Sequence, residues 1–312
     1  MAIIDDLDKK ETKFRETLKD SNGKVFKLVG IEEIGDGIKI YTLQSTDRSY
    51  YYTTKAKKTQ ICLHFTVGTI VGDIATLTKP GNKVSVHYVV DRQGNIYNII
   101  PLDSEHNWSY HLGANCVGTN SVMSKSAIGI EVSNYGPLNK HTSGYYNAYQ
   151  QLYCTEDKHV DEFSFRGYYH YARLTKAQQD AIYALVNWLC DKCGIPHNYK
   201  LEGMFENDKA AQEFKGVFTH TQVRKDKFDF PPDQISFVKT RWEDSQLPPI
   251  REMTEPVKES DIVFSEVRQK QPAEEQRCVD PASTVKAEPV KSKSLLATLF
   301  GMIFGIFAKT GK

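Results

Sequence analysis

Three segments of the sequence carry side chains able to do hydrolytic chemistry. His64 sits inside Ile61-Cys62-Leu63-His64-Phe65, an almost unbroken apolar run. Such a run reads as a buried strand. An imidazole within it needs a partner, because a buried, unsatisfied polar group costs on the order of 1–3 kcal/mol. Taken singly, a strand histidine is more readily a hydrogen-bonded core residue than a ligand. Glu131 stands in Ala127-Ile128-Gly129-Ile130-Glu131-Val132, again among aliphatic residues. A carboxylate there finds a cation or keeps its proton, and desolvation raises its pKa toward the range of a general base working near neutrality. The third segment runs from His220 through Lys225-Asp226-Lys227-Phe228-Asp229 to Pro231-Pro232. His220 and Asp229, with the distant His64, make three N/O donors, the number a catalytic zinc site uses while leaving a fourth position for water. Lys227, just before Asp229, is of the type that donates to a developing oxyanion. In isolation, a loop so rich in Lys and Asp reads first as a solvated surface turn.

The elements that must position these residues are read from patterning. Asp5 to Lys19 fits a short amphipathic helix. Val25–Val29 and Ile38–Leu43, separated by Gly35-Asp36-Gly37, read as strands, with a third at Ser49–Thr54. Residues 24–56 thus form a small β-meander, too little for a core of its own, that packs on the main domain beginning at Lys58. Val84–Val90 and Asn95–Pro101 flank the turn Asp91-Arg92-Gln93-Gly94 and read as a hairpin. Thr175 with Gln178 makes a capping box. Ile182, Leu185, Val186 and Leu189 share one face of the helix opened by that box, and Gly194 and Pro196 end it. The Tyr-rich stretch Tyr145–Tyr171 reads as an elaborated surface loop shaping a groove.

The 312 residues carry 40 Lys+Arg against 39 Asp+Glu, a formal charge of +1. That balance argues against nucleic acid as a partner, since phosphate binding shows as a basic excess. Cys62, Cys116, Cys154, Cys190, Cys193 and Cys278 show no framework spacing, so reduced thiols are expected. Cys190 and Cys193 are half a zinc ribbon with no second pair and read as packing residues; His87, inside a strand, reads as structural. The start of the sequence, Met1–Lys10, has no apolar run of the secretory kind. The expected organisation is residues 1–57, a helix and small β-rich region; 58–244, the main α/β domain; 245–293, a Pro-, Glu- and Lys-rich disordered linker; and 294–312, a hydrophobic helix. In that tail Leu295–Ala308 is almost wholly apolar, flanked by Lys291, Lys293, Lys309 and Lys312. It is short for a span of about 20 residues, and suits interfacial membrane contact or docking on the domain's own surface.

The order of motifs changes the weight of each one. His64, Ser85-Val86-His87-Tyr88, Trp108 with His111-Leu112-Gly113, Ile128-Gly129-Ile130-Glu131, the long helix, and His220 with Lys227-Phe228-Asp229 together resemble the type 2 N-acetylmuramoyl-L-alanine amidases. This family includes AmpD-type amidases, phage amidase endolysins and peptidoglycan recognition proteins. The resemblance spans about Lys58 to Trp242. It implies a central mixed β-sheet flanked by helices, Zn2+ held by His64, His220 and Asp229, Glu131 as general base and Lys227 as oxyanion stabiliser. It also implies a peptidoglycan substrate cut between N-acetylmuramic acid and L-alanine. An Asp as third ligand and Val86 in place of the endolysin branch's tyrosine both resemble the AmpD branch. Trp108-Ser109-Tyr110-His111-Leu112-Gly113 departs from the family's Trp-His-Ala-Gly by being two residues longer; Trp108 and His111 are expected to line the substrate groove. Asp226 is the rival third ligand, since the His220–Asp229 loop is shorter than the AmpD pattern. The expected role is that of a phage endolysin or bacterial lytic amidase. It is made in the cytoplasm as a monomer and acts at the wall, with peripheral membrane contact through the tail. The alternative is a peptidoglycan receptor without turnover.

Overall fold

The computed structural model describes residues 2–246, and Met1–Ser245 make one unit. The expected linker and apolar tail lie outside the described residues. In chain order the elements are α1 (Ile4–Thr17), β1 (Lys27–Glu33), β2 (Lys39–Gln44), β3 (Gln60–Phe65), α2 (Ile70–Leu77), β4 (Tyr88–Val90), β5 (Ile96–Asn98), α3 (Asn120–Ser126) and β6 (Ala127–Val132). Then come β7 (Pro137–His141), β8 (Gly144–Tyr146), β9 (Leu152–Cys154), β10 (Val160–Phe165), β11 (Tyr168–Ala172), α4 (Lys176–Cys193), α5 (Asp208–Glu213), β12 (Gly216–Thr219) and α6 (Pro232–Gln246). Among the described residues no helix is long and apolar enough to cross a membrane.

The central sheet has seven strands in the order β1-β2-β5-β4-β6-β3-β12. β4, β6, β3 and β12 run parallel to one another, whereas β1–β2 and β4–β5 pair antiparallel. This is the mixed sheet flanked by helices that the sequence leads one to expect. Both faces of β3 and β6 are covered, which is why their sequences run apolar without alternation. One face, with Ile61, Leu63, Ile128 and Ile130, packs on Ile182, Leu185, Val186 and Leu189 of α4. α4 starts at the expected capping box and ends at Gly194 in the left-handed conformation. Cys62 packs on the opposite face with Met123 of α3 and Ala211 of α5. His64, two residues on from Cys62, shares that face, and so does its register partner Glu131.

The N-terminal segment is built into this unit. β1 and β2 extend the central sheet through a parallel β2–β5 pairing. On α1, Phe14 packs with α2 residues Ile70 and Ile74, while Leu7 packs with Tyr145 and Tyr153 of a second sheet. Glu11 of α1 accepts from the backbone N–H groups of Arg92 and Gln93 (3.0 and 3.1 Å), capping the β4–β5 turn. No strand forms at Ser49–Thr54, where Tyr52 makes only an isolated bridge with Trp108. Tyr50 and Tyr51 are both buried and pack with Ile100 in a small cluster of their own.

The expected loop at Tyr145–Tyr171 is instead part of a five-stranded antiparallel sheet, β10-β11-β7-β8-β9. Tyrosine conceals the pattern because it serves on either face: Tyr145, Tyr153 and Tyr171 are buried, while Tyr149 and Tyr169 are exposed.

Candidate active site

Parallel pairing brings the candidate residues to one end of the sheet. Leu63 of β3 pairs with Thr219 of β12, so His220, the next residue, emerges beside His64. On the other side His64 pairs with Glu131. All three thus lie at the carboxyl ends of parallel strands, where α/β sheets present their ligand sites. The exit of His220 is fixed locally: Thr219 and Gln222 form a reciprocal capping box, and the Thr221 hydroxyl donates to the Phe230 carbonyl (3.2 Å).

The three expected donors converge. His64 Nδ1 and His220 Nδ1 are 3.0 Å apart, and Asp229 Oδ2 lies 3.2 Å from the first and 2.8 Å from the second. The far nitrogen of each ring is engaged. His220 Nε2–H donates to the Leu112 carbonyl (3.1 Å), which leaves its Nδ1 with a lone pair. His64 Nε2 lies 3.0 Å from His111 Nδ1, and donating there leaves the His64 Nδ1 lone pair facing the cluster. Two imidazole lone pairs and a carboxylate oxygen at such distances repel unless a cation lies among them. Four donors around an ion at about 2.0 Å stand roughly 3.3 Å apart in a tetrahedron, so the set fits a zinc-sized divalent ion. Cys62, His64 and His111 form a second grouping of donor atoms. Burial, with the Asp229 charge next, pushes the Cys62 thiol pKa well up, so it stays protonated and is a poor ligand.

A family model described as N-acetylmuramoyl-L-alanine amidase matches residues 54–229, more than half of the chain. The chain belongs to that family. It is an amidase by that membership, and solved amidases are similar to it. One is the N-acetylmuramoyl-L-alanine amidase LysC from Clostridium intestinale URNW, 15% identical over 65% of this chain and 97% of that one, with a TM-score of 0.37. Another is the E. coli amidase AmiD in complex with the substrate anhydro-N-acetylmuramic acid-L-Ala-D-gamma-Glu-L-Lys, 20% identical over 67% of this chain and 65% of AmiD, with a TM-score of 0.36. PlyL is 16% identical over 66% of this chain and 92% of its own, with a TM-score of 0.35. No curated protein matches the chain.

Around the amidase's donor cluster, electrostatics separate the roles. Burial, with His220 next, pushes the His64 pKa down to about 4, keeping the ring neutral. Burial works against ionisation of Asp229. The neighbouring His220 and His64 rings and the Lys227 charge outweigh it and hold the carboxyl well below the usual carboxylate range. Glu131 behaves oppositely: burial, then the charges of Asp229 and Asp73, push its pKa well up, with Lys227 opposing. Its Oε2 is buried with no hydrogen-bond partner among the described residues. Two carboxyls in one site therefore differ, one a fixed anion and the other a group eager for a proton. Lys227 is close enough to act on both. Asp226 is engaged elsewhere, in a two-point ion pair with Arg224 (Nε to Oδ1 2.9 Å), and takes no part in the cluster.

Trp108 and His111, the expected groove residues, are both buried. Trp108 is 4% exposed, stacked on Tyr52 at 4.4 Å and donating to Thr54. His111, 7% exposed, lies behind His64. Gly129 makes room for its ring: a Cβ there would sit 2.9 Å from Val86 Cγ1 and 3.2 Å from the His111 ring. At Gly113, with φ +78, a Cβ would collide with the Arg224 guanidinium of the His220–Asp229 loop. His87 is structural, as expected; its Nε2–H donates to the Asn107 carbonyl and its Nδ1 accepts from the Gly129 N–H. Motif and spacing alone do not single out Asp73. It is buried in α2 and accepts from Thr66 (2.8 Å) and Ser133 (2.6 Å), within electrostatic reach of Glu131. An acid in the apolar Ile70-Val71-Gly72-Asp73-Ile74 run is the same signal that singles out Glu131.

Proposed function

We propose that this chain is a zinc-dependent N-acetylmuramoyl-L-alanine amidase that hydrolyses the amide between N-acetylmuramic acid and L-alanine in peptidoglycan, in the manner of a phage endolysin or bacterial cell-wall lytic amidase. The observation that carries the reading is the convergence of His64 Nδ1, His220 Nδ1 and Asp229 Oδ2 within 3.2 Å of one another. These residues would hold the ion, and bound zinc supplies Lewis-acid activation of water and carbonyl. Glu131 takes a proton from the attacking water as its oxygen bonds to the lactyl carbonyl carbon. As the C–N bond breaks, Glu131 delivers that proton to the leaving amine of L-alanine. Lys227 donates to the oxygen that gains negative charge at the carbonyl. The products are a free muramoyl carboxyl and a stem peptide with a free amino terminus.

The exposed rings of Tyr149 and Tyr169 supply stacking surface for the muropeptide in this reading. The chain is made in a host or bacterial cytoplasm, works as a monomer at the wall, and touches the membrane through residues 294–312. The test is chelation with o-phenanthroline and then zinc add-back, with stem-peptide release from sacculi as readout. Loss and recovery of release supports the amidase. Sacculi bound but uncut by zinc-loaded protein would make it a receptor.

A further inference from the structure

Arg166 reaches from the second sheet to the loop that carries Lys227 and Asp229. Its Nη1 donates to the carbonyls of Arg224 (2.6 Å) and Lys227, and its Nη2 to the carbonyl of Thr221 (2.7 Å). One guanidinium thus gathers three carbonyls spread along the loop between His220 and Asp229. The same hairpin sets the Tyr168 ring 5.3 Å from Phe228, which lies between Lys227 and Asp229.

The backbone at Arg166 is poorly suited to arginine. Phe165 and Tyr168 are paired, so Arg166 and Gly167 form a two-residue connection between β10 and β11. Both have positive φ, +48 and +87. That is the pattern of a type I′ turn, where Asn-Gly and Asp-Gly are the favoured pairs. Arginine has neither the short polar side chain nor the missing Cβ that ease the left-handed region. A residue the turn disfavours stands where its side chain binds the loop, which is how strain marks a functional position.

We infer that Arg166 is a positioning residue for the amidase reaction: its guanidinium fixes the loop so that the Asp229 carboxylate and the Lys227 ammonium keep their places beside His64 and His220. This rests on the zinc-amidase reading. It also gives the second sheet a task beyond its own packing, as the scaffold from which the ligand loop is held.

The test uses the full chain and the variants Arg166→Asn and Arg166→Lys. Asparagine suits the turn, so the thermal midpoint of metal-free Arg166→Asn should equal or exceed that of wild type. Backbone amide exchange at 221–228 should nevertheless quicken in the metal-free protein. Zinc affinity, measured by competition with a chromophoric chelator, should fall about 10–100-fold, the usual effect of removing a residue that orients a ligand. On a soluble muropeptide kcat should fall with KM unchanged, and millimolar guanidinium should restore part of it. Arg166→Lys keeps the charge but cannot span three carbonyls, and should show a smaller loss of the same kind. Wild-type loop exchange and zinc affinity in Arg166→Asn would overturn the inference. So would a lowered thermal midpoint, which would make Arg166 a folding residue, or a raised KM at unchanged kcat, which would make it a substrate contact. Should wild type bind no zinc and cut nothing, the proposed function fails instead, while loop exchange in the metal-free chain still decides the role of Arg166.

Discussion

Glu131 faces His64 directly across the β6–β3 ladder, each residue one place before the end of its strand. Parallel register puts both side chains on one face, so the proposed base and the first candidate ligand are set by the same hydrogen-bond ladder and not by a mobile loop. Glu131→Gln keeps the shape and removes the proton acceptor. Turnover should fall by about 10²–10⁴-fold, the usual worth of a general base, with zinc content per chain unchanged. A variant that loses its zinc would instead make Glu131 part of the ligand set.

Asp229 and Asp226 stand three residues apart in one loop, and their partners tell them apart. Asp229 meets both imidazoles, whereas Asp226 is spent on Arg224. Saturating zinc should raise the thermal midpoint of wild type, since a ligand at a thousandfold excess over its Kd stabilises by about 4 kcal/mol. Asp229→Ala and His220→Ala should lose that response, and Asp226→Ala should keep it. A zinc response that disappears in Asp226→Ala and survives in Asp229→Ala would reverse the assignment.

Gly129 is the flat spot against which His111 rests, and His111 in turn holds His64. Gly129→Ala forces a methyl against Val86 and the imidazole. Overpacking of this kind typically costs about 1–3 kcal/mol, to be read as a shift of the urea midpoint. Because the displaced ring is the one that orients His64, zinc affinity should weaken as well. An alanine variant with wild-type stability and affinity would show that His111 does not depend on that space.

These relationships also show how far the residues can be read before the fold. His64, Glu131, His220, Lys227 and Asp229 are legible because each breaks a local rule: a polar group in an apolar run, or an ordered His-Lys-Asp series after one. β3, β6 and α4 are legible for the complementary reason, their patterns being strong and local. The second sheet is not, because its tyrosines fit either face and its strands are short. The depth of His111 is not legible either. Spacing puts a histidine near a tryptophan, but whether the ring turns inward depends on a missing Cβ on another strand, at Gly129. Arg166 leaves no signal at all, since its partners are backbone carbonyls distant in sequence.

Asp73 offers a pH dependence whose sign is fixed by its surroundings. Burial raises its pKa from the ordinary carboxylate range to about 7, with the hydroxyls of Ser133 and Thr66 opposing. A group raised on folding contributes stability that is full below its unfolded value and is lost as pH rises through the folded one. Between pH 5 and pH 8 wild type should therefore lose about 2–3 kcal/mol from this residue, and Asp73→Asn should not. The urea midpoints of the two proteins at the two pH values give the difference. Asp73→Asn should be the weaker protein at pH 5 and close to or above wild type at pH 8. A substitution effect that does not change with pH would mean that Asp73 is already ionised in the fold.

Residues 1–246 hold the family match and every candidate site residue, while the apolar stretch Leu295–Ala308 and its flanking lysines lie beyond them. If the tail acts on membranes and the preceding residues act on muropeptide, the two properties separate in a chain ending at Gln246. That chain should release stem peptide from soluble muropeptide as wild type does. It should no longer sediment with vesicles containing anionic lipid, because it lacks the apolar segment and the Lys291, Lys293, Lys309 and Lys312 charges, each worth about 1 kcal/mol near such a surface. Raising salt should weaken vesicle binding of the full chain in the same direction, since screening acts on the lysines and not on the apolar side chains. Loss of muropeptide cleavage in the shortened chain would show that the tail serves the catalytic unit itself, and vesicle binding that persists without the tail would move the membrane contact to the first 246 residues.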